Sequence, residues 1–266
     1  MEHAHVHVVG GGLAGLTAAI TAAESGARVT LYEGHRTLGG RARTADGPYR
    51  ANEGPHALYR RGPHWSWLAR RGLLGPVVPV PPREGLRFRF RRDGAARRTP
   101  PLALLRLARR SARTAPVDAD FRSWATGQVG APGWLERFTA QDPGLAPAGE
   151  QLLQGQFPVG PDGRKAEGTA RAEELLDLGF PGWRERTTWR TEALADGRTG
   201  AVDRPGTTWR DRPSVIRGDG VFLAGDQVAA PGLLSEVSFT SGLEAGLLAV
   251  RGAGRHSGAG VDLNQT

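Results

Sequence analysis

Apolar and polar residues follow two different periods at the start of the chain. His5 to Val9 forms a short β-type run, and apolar residues then recur at spacings of three and four between Leu13 and Ala23, which is one face of a helix. Gly26 follows where a glycine often ends a helix. A second β-branched run, from Arg28 to Glu33, ends on a carboxylate. The order of strand, helix and strand predicts a right-handed βαβ unit.

Glycines at spacings G-x-G-x-x-G lie between the first strand and the helix. Gly10 permits a tight turn, Gly12 leaves backbone exposed to a pyrophosphate, and Gly15 allows close packing of helix and strand. Glu33 follows about 20 residues later, where a carboxylate accepts hydrogen bonds from an adenosine ribose and repels a 2′-phosphate. The pattern predicts a site for NAD or FAD rather than NADP. A glycine-rich turn in some other α/β protein is the alternative interpretation.

The middle of the chain has weaker patterns. Residues 83–98 alternate apolar residues with arginine and turn at Asp93-Gly94, which predicts a β-hairpin. Residues 102–112 have the pattern of a basic amphipathic helix, and residues 166–178 that of a second helix. Between about 114 and 213 the chain is rich in proline, glycine and tryptophan.

A second regular segment lies near the C-terminal end. Val221 to Ala224 predicts a buried strand that ends at Gly225 and Asp226, and a helix is predicted from about Glu236 to Val250 with Ser235 as its N-cap. Apolar residues form a core stripe on that helix: Phe239, Leu243, Leu247 and Val250. Small residues form another face, which we expect to allow close approach to a ligand or to the sheet: Ser238, Ser241, Gly242 and Ala245.

Composition excludes several classes of protein. The 266 residues include no cysteine, which excludes disulfides and cysteine metal sites. No run of eighteen apolar residues occurs, and the N-terminus leads directly into a strand, so we expect neither a transmembrane segment nor a signal peptide, and a cytoplasmic protein. The net charge is +8, and all cations except Lys165 are arginine, so the surface should attract anions.

A histidine cluster and an arginine-rich stretch each have a functional and a simpler interpretation. His3, His5 and His7 share one side of the first strand and could bind a metal, but a solvated strand end explains them, and we predict no metal site. The basic stretch 83–113 could contact nucleic acid or an anionic membrane surface. A solvated strand and helix face is the preferred interpretation; peripheral membrane contact is retained as an alternative, and no specific nucleic-acid binding is expected.

The motifs together resemble one family. G-x-G-x-x-G, the ribose acid, the segment LGGRART at residues 38–44 and the Gly-Pro-His segment at 54–56 are similar to the N-terminal region of the flavin-containing amine oxidase and phytoene desaturase-like superfamily, which uses FAD. The segment ending at Asp226 and the helix after it resemble the C-terminal return of that family to its FAD domain.

The resemblance implies an α/β fold with a Rossmann-like FAD-binding domain, made of a parallel sheet with helices, and a reduced α+β substrate-type domain. The FAD-binding domain would comprise residues 1–62 and 214–254, the shortened substrate or cap region 63–213, and a flexible tail 255–266. The implied cofactor-binding residues are Gly10, Gly12, Leu13, Ala14, Gly15, Glu33, Gly39, Gly40, Arg41, Gly225, Asp226 and Val237.

The activity implied is FAD-dependent oxidation of a small or hydrophobic substrate, with a hydride passing from a C–N or C–C bond to the flavin. His56 is the titratable residue nearest to a cofactor motif and is the candidate base or substrate-orienting residue. Family members usually have a longer middle than residues 63–213 provide. A shortened relative that binds the dinucleotide without turnover is therefore the alternative, and an arginine-rich nucleic-acid binder ranks last.

Overall fold

The computed structural model describes residues 4–54, 58–60, 62–75, 86–92, 94–100, 102, 133–159, 163–194, 201, 203 and 206–256. These residues form a mixed α/β structure. Its strands are β1 (His5–Val9), β2 (Arg28–Tyr32), β3 (Phe90–Arg92), β4 (Ala95–Arg97), β5 (Trp134–Arg137), β6 (Leu153–Gln156), β7 (Ile216–Gly218) and β8 (Val221–Phe222). Its α-helices are α1 (Leu13–Glu24), α2 (Pro63–Arg70), α3 (Lys165–Gly179), α4 (Trp183–Arg186) and α5 (Ser235–His256).

The predicted βαβ unit is present with nearly the predicted bounds. β1 and β2 are parallel, in a register that places His5 opposite Arg28 and Val9 opposite Tyr32. Gly26 follows α1 with φ of 88°, and the N–H of Ala27 donates to the carbonyl of Ala22 at 3.1 Å. That bond is typical of a glycine-terminated helix, which explains why the helix ends where the sequence predicts.

The core of this unit lies between the sheet and two helices. Val6 and Val8 of β1 are buried with Ala22 of α1, and Ala249 and Val250 of α5 pack against the same cluster. Both helices therefore cover one face of the parallel pair. The most buried positions of α1 are small residues rather than its leucines: Thr17, Ala18, Thr21 and Ala22.

Glycines let α5 pack directly on α1. A Cβ atom at Gly242 would lie 2.3 Å from the carbonyl oxygen of Ala14, and one at Gly246 would lie 2.6 Å from that of Ala18. Residue numbers rise together along the two helices, so the helices run parallel and their N-termini lie at the same end of the unit. Of the small residues predicted to share one face of α5, Gly242 contacts α1, whereas Ala245 packs with Val215 and Val228 and Ser241 bonds to Gly225.

The late buried strand was predicted wrongly. Val221 and Phe222 form β8, which pairs antiparallel with β7 and not with β1 or β2, and Val221 is 55% exposed. Asp219 and Gly220 join the two strands with φ of 49° and 73°. An Asp-Gly pair with both φ values positive is the preferred two-residue hairpin turn, so the local sequence favours a hairpin over a strand of the parallel sheet.

Two details of α5 also differ from the prediction. The helix includes Ser235, and the carboxylate of Glu236 accepts a hydrogen bond from the N–H of Leu233 at 3.0 Å, which satisfies a backbone donor just before the helix. In the predicted core stripe Phe239 is 1% exposed, but Leu247 is 36% exposed. The helix is buried on several sides: by α1 at Gly242, by α2 at Phe239, and by Val215 and Val228 at Ala245.

The remaining elements form local antiparallel pairs and short helices. The hairpin predicted within 83–98 is present as β3 and β4, with Gly94 at φ of 69° in the turn. β5 pairs with β6, and α3 lies within one residue of its predicted bounds. The helix predicted at 102–112 lies outside the described residues except for Leu102. In the described part of the chain, no helix is both long and apolar enough to cross a bilayer.

One face of the parallel pair is exposed. His5 and His7 point to this face, with ring centroids 4.2 Å apart, and Val9 and Tyr32 are 86% and 50% exposed. His5 Nε2 lies 2.8 Å from the hydroxyl of Thr30. Parallel strands are usually covered on both faces, so the described unit is half of the usual layered arrangement.

Candidate dinucleotide site

The glycine turn between β1 and α1 has the geometry that its spacing predicts. Gly10 has φ of 101°, and its N–H donates to the carbonyl of Tyr32 at 2.7 Å. A Cβ atom at Gly15 would lie 1.9 Å from the carbonyl oxygen of Gly10, so α1 approaches the turn too closely for any side chain there. A Cβ atom at Gly12 would instead have no atom within 4 Å. The turn is therefore close-packed on one side and open at Gly12.

The N-terminus of α1 borders this open position. Leu13, Ala14 and Gly15 form its first turn, and the first N–H groups of a helix have no acceptor within the helix. They also lie at the positive end of the helix dipole, which favours a bound phosphate. The geometry fits a diphosphate over Gly12.

Glu33 lies directly beside the turn. Its Oε2 accepts a hydrogen bond from the N–H of Gly11 at 2.6 Å, and its Oε1 accepts from the N–H of His35 at 2.8 Å. The His35 backbone bond, the His35 ring and the Gly11 N–H together lower the pKa of Glu33 to about 2. The carboxylate is thus ionised at neutral pH. Because each carboxylate oxygen has two lone pairs, it can accept further bonds from ribose hydroxyls.

A second glycine pair packs on the first. The N–H of Gly39 donates to the carbonyl of Gly11 at 2.7 Å, and Gly39 has φ of 105°. A Cβ atom at Gly40 would lie 3.3 Å from the Cα of Gly12. The predicted residues of the two loops therefore form one continuous backbone surface, and Arg41 follows at its edge.

Arg41 connects the N-terminal loops to the C-terminal part of the chain. Its Nη2 donates to Oδ2 of Asp226 at 2.6 Å, across 185 residues of sequence. The Asp226 side chain is 17% exposed and that of Arg41 is 44% exposed. The two ends of the chain that the sequence assigned to one site are adjacent in the structure.

Asp226 is held in position by two side chains for which the sequence predicted no such role. Arg212 donates to the backbone carbonyl of Asp226 at 3.2 Å while it pairs with Asp203 at 2.7 Å. The hydroxyl of Ser241 accepts from the N–H of Gly225 at 2.9 Å and lies 2.7 Å from the carbonyl of Val237. Ser241 is completely buried. No local pattern in the sequence reveals such long-range contacts, although a serine within the apolar part of α5 was a signal of a buried polar contact.

Val237 lies in the first turn of α5 and is 4% exposed. Because Gly242 is level with Ala14 on the parallel helix, the first turn of α5 lies at the same end of the unit as Gly10 and Gly12. Because Gly242 is seven residues into α5, the N-terminus of α5 lies about two helical turns beyond that of α1.

The predicted catalytic residue, His56, lies outside the described residues. In the described part of the chain, no group of three or more His, Cys, Asp or Glu residues has the geometry of a metal site. His3 is also outside the described residues, while His5 and His7 contact Thr30 and Tyr32.

Comparison with known proteins agrees with the glycine-turn geometry. Residues 8–71 match the family model of an NAD(P)-binding Rossmann-like domain. A carotenoid phi-ring synthase of Streptomyces griseus is 41% identical over 113 residues, which covers 38% of this chain and 21% of that protein. The chain thus spans about a fifth of the length of the curated relative it matches. The N-terminal region is a dinucleotide-binding Rossmann-like domain.

Proposed function

We propose that this chain is an FAD-dependent oxidoreductase that oxidises a small or hydrophobic substrate. The observation that supports it most strongly is the junction of the glycine turn, the Gly39-Gly40 loop and Asp226 through Arg41. A simple mononucleotide site would need only the turn. A junction between two distant parts of the chain suits a longer ligand that extends from Glu33 past the diphosphate site toward α5.

The residues present fit FAD by their chemistry. The open position at Gly12 leaves room for a diphosphate, and the first turn of α1 supplies N–H donors. Arg41 adds a planar cation that can share its donors between Asp226 and a phosphate oxygen. Glu33 accepts from the ribose hydroxyls and repels a 2′-phosphate, which favours FAD or NAD over NADP.

FAD, when bound, supplies a two-electron acceptor for a hydride from the substrate carbon. The chain contributes the environment of that acceptor. If the flavin lies against the first turn of α5, as the resemblance implies, the positive end of the helix dipole would favour the negative charge of the reduced cofactor. His56 is proposed as the base that takes a substrate proton or orients the substrate.

The similarity to a carotenoid phi-ring synthase bears on the substrate. That protein is named for forming a ring of a carotenoid. We therefore place a carbon–carbon bond of an apolar, carotenoid-like compound ahead of a carbon–nitrogen bond as the group oxidised by this chain.

The first experiment is an absorbance spectrum of the purified protein, followed by release and identification of any chromophore. We expect a flavin spectrum, or a rise in melting temperature on addition of FAD. A colourless protein whose melting temperature is unchanged by both FAD and NAD would refute the proposal.

A matched pair of glycine variants tests the site itself. Gly12→Ala should fold like the parent, since its Cβ meets no atom within 4 Å, but should bind FAD at least about tenfold more weakly because the methyl group occupies the diphosphate position. Gly15→Ala should destabilise the free protein by about 1–3 kcal/mol, because its Cβ overlaps the Gly10 carbonyl oxygen. Equal FAD affinity in Gly12→Ala and the parent would place the diphosphate elsewhere.

The second candidate is a relative that binds the dinucleotide without turnover. The middle of the chain, residues 63–213, favours it, because this region is shorter than in the family that the sequence resembles. It predicts bound FAD that neither an amine nor a polyene donor reduces under anaerobic conditions. Reduction by either class of donor would exclude it.

A further inference from the structure

Large apolar side chains are exposed just before and just after the β3–β4 hairpin. Leu86 is 78% exposed, Phe88 is 67% exposed, and Leu102, just after the hairpin, is 71% exposed. We call Leu86–Arg92, Gly94–Pro100 and Leu102 the hairpin surface. Single exposed apolar residues are common, but three large ones occur here within seventeen residues of sequence, on the two sides of the β3–β4 hairpin.

The same surface is strongly basic. The sequence from Leu86 to Leu102 contains six arginines and one acid, a formal charge of +5 in a chain whose total is +8. Arg97 and Arg98 are exposed. Arg91 pairs with Glu174 of α3, which attaches the hairpin to the rest of the chain. Apart from the Arg91–Glu174 pair, the segment thus carries a charge of +4, which is half of the chain's net charge and lies close in sequence to the exposed apolar residues.

The backbone of this surface is held by its own arginine. Nη1 of Arg89 donates to the carbonyl of Phe88 at 2.9 Å and to that of Leu86 at 3.2 Å. These bonds fix the segment that presents Leu86 and Phe88. The two apolar side chains are therefore displayed by a shaped segment and not by an unconstrained loop.

We propose that the hairpin surface binds an anionic membrane surface, with Leu86, Phe88 and Leu102 at the level of the acyl chains and the arginines on the lipid phosphates. Charge complementarity decides the partner: a polybasic segment beside inserted apolar side chains is what anionic lipid selects. A single-stranded nucleic acid would favour several aromatic platforms among the cations. Two of the three apolar side chains here are leucines, which do not stack on bases.

The β7–β8 hairpin provides an internal control. It also exposes apolar side chains, with Ile216 at 56% and Val221 at 55%. Its Arg217 is balanced by Asp219 within the same hairpin, so it lacks net positive charge. If apolar exposure alone determined membrane binding, both hairpins would contribute. If membrane binding requires apolar exposure together with positive charge, only the hairpin surface should contribute.

The test is co-sedimentation of the full chain with vesicles of phosphatidylcholine alone and of phosphatidylcholine mixed with phosphatidylserine. We expect binding to the mixed vesicles that weakens with added salt, and little binding to phosphatidylcholine. Arg97→Gln with Arg98→Gln should lower the partition coefficient about 25-fold, at about fivefold per arginine, and should reduce the salt dependence. Leu86→Ser with Phe88→Ser should weaken binding to the mixed vesicles, because the inserted apolar side chains are removed.

The control variant, Ile216→Ser with Arg217→Gln, should bind mixed vesicles like the parent chain. Circular dichroism melts of each variant establish that it is folded, and a variant that melts early is replaced by the single substitution Phe88→Ser, which alters an exposed side chain. The proposal is overturned if the parent chain does not bind mixed vesicles, or if the control loses as much binding as the hairpin variants. It is also overturned if Leu86→Ser with Phe88→Ser leaves vesicle binding unchanged, because a purely electrostatic surface would bind any polyanion, including a nucleic acid.

Discussion

Glu33 illustrates how one residue combines a structural and a binding role. Its carboxylate accepts bonds from the N–H groups of His35 and Gly11, and these bonds lower its pKa to about 2 from an ordinary value of 4.5. Since the folded-state pKa is below the unfolded value, the carboxylate stabilises the fold above about pH 4.5. That contribution is lost as the pH falls toward 2.

Glu33→Gln should therefore lower the melting temperature at pH 7, and the difference from the parent should shrink as the pH falls from about 4.5 toward 2. The neutral amide should also bind FAD roughly tenfold or more weakly, since a hydrogen bond to a charged group contributes more than one to a neutral group. Thermal melts over this pH range and a flavin fluorescence titration measure the two effects. Glu244→Gln, an exposed carboxylate of α5, is the control and should change neither. A melting difference that is constant with pH would show that the charge of Glu33 is irrelevant to stability.

His64 is a buried histidine next to α5 that the sequence analysis did not single out. Its side chain is 4% exposed, its ring stacks on Phe239 with centroids 5.2 Å apart, and its Nε2 lies 3.4 Å from the hydroxyl of Ser235. Its Nδ1 lies 4.0 Å from Oε1 of Glu236. Burial lowers the pKa of His64, and Glu236 opposes this effect only in part.

Because the folded-state pKa of His64 is below the ordinary value of 6.5, the unfolded chain takes up the proton more readily. His64 should therefore lower the free energy of unfolding progressively as the pH falls below about 6.5. Urea denaturation between pH 8 and about pH 5 measures this. His64→Gln should be less stable at pH 8 but less sensitive to pH than the parent chain. A parent chain that gains stability as the pH falls would mean that the ion pair with Glu236 outweighs burial.

At the scale of the element, the contact between α1 and α5 determines how the two ends of the chain meet. The contact is close because Gly242 and Gly246 leave the carbonyls of Ala14 and Ala18 accessible to the α5 backbone. This contact also fixes Ser241, whose hydroxyl positions the Gly225 loop. Separation of the helices would therefore move Asp226 as well.

Gly242→Ala should destabilise the protein by about 1–3 kcal/mol, because its Cβ would lie 2.3 Å from a carbonyl oxygen. Gly252→Ala on the same helix is the matched control. Its Cβ would meet Phe222 at 3.7 Å, an ordinary contact, and alanine raises helix propensity, so this variant should be neutral or more stable by up to about 1 kcal/mol. Equal effects of the two substitutions in urea denaturation would contradict the close helix contact.

The elements that the sequence predicts well are those specified locally. β1, α1 and β2 follow from periodicity and from Gly10 and Gly26, each of which occupies a backbone conformation that favours glycine. The glycine turn and Glu33 are adjacent because the strands are parallel and in register. Local sequence patterns were sufficient to predict these elements. The same kind of pattern also predicts the β7–β8 hairpin from Asp219-Gly220, although the sequence analysis assigned a buried strand there.

What the sequence could not predict depends on contacts between distant residues. Periodicity identifies which residues of α5 share a face, but it does not reveal that Gly242 and Gly246 lie against α1. It likewise does not reveal that Arg212 and Ser241 position Asp226. The sequence placed Arg41 and Asp226 in one ligand site but did not predict that they form a direct ion pair, which depends on the tertiary structure.

At the scale of the whole molecule, the described Rossmann-like unit depends on few connections. A two-stranded sheet is marginally stable by itself, and one face of β1–β2 remains exposed. The unit is held by the α1–α5 contact, the cluster around Val6 and Val8, and the pair of Arg41 with Asp226. A ligand that spans both loops would add a connection, at about 2.7 kcal/mol when present at a hundred times its Kd.

Hydrogen exchange distinguishes this arrangement from a site confined to the N-terminal loops. In the free protein, the slowest amides should lie in the buried turns of α1 and α5, and the amides of the β3–β4 and β7–β8 turns should exchange quickly. FAD should slow exchange at Gly10–Gly15 and at Leu223–Asp226 together, because Arg41 and Ser241 couple the two loops. Arg41→Gln should retain protection at the first segment and lose it at the second. Protection of Gly10–Gly15 alone in the parent chain would mean that the C-terminal loop lies near the site without taking part in binding.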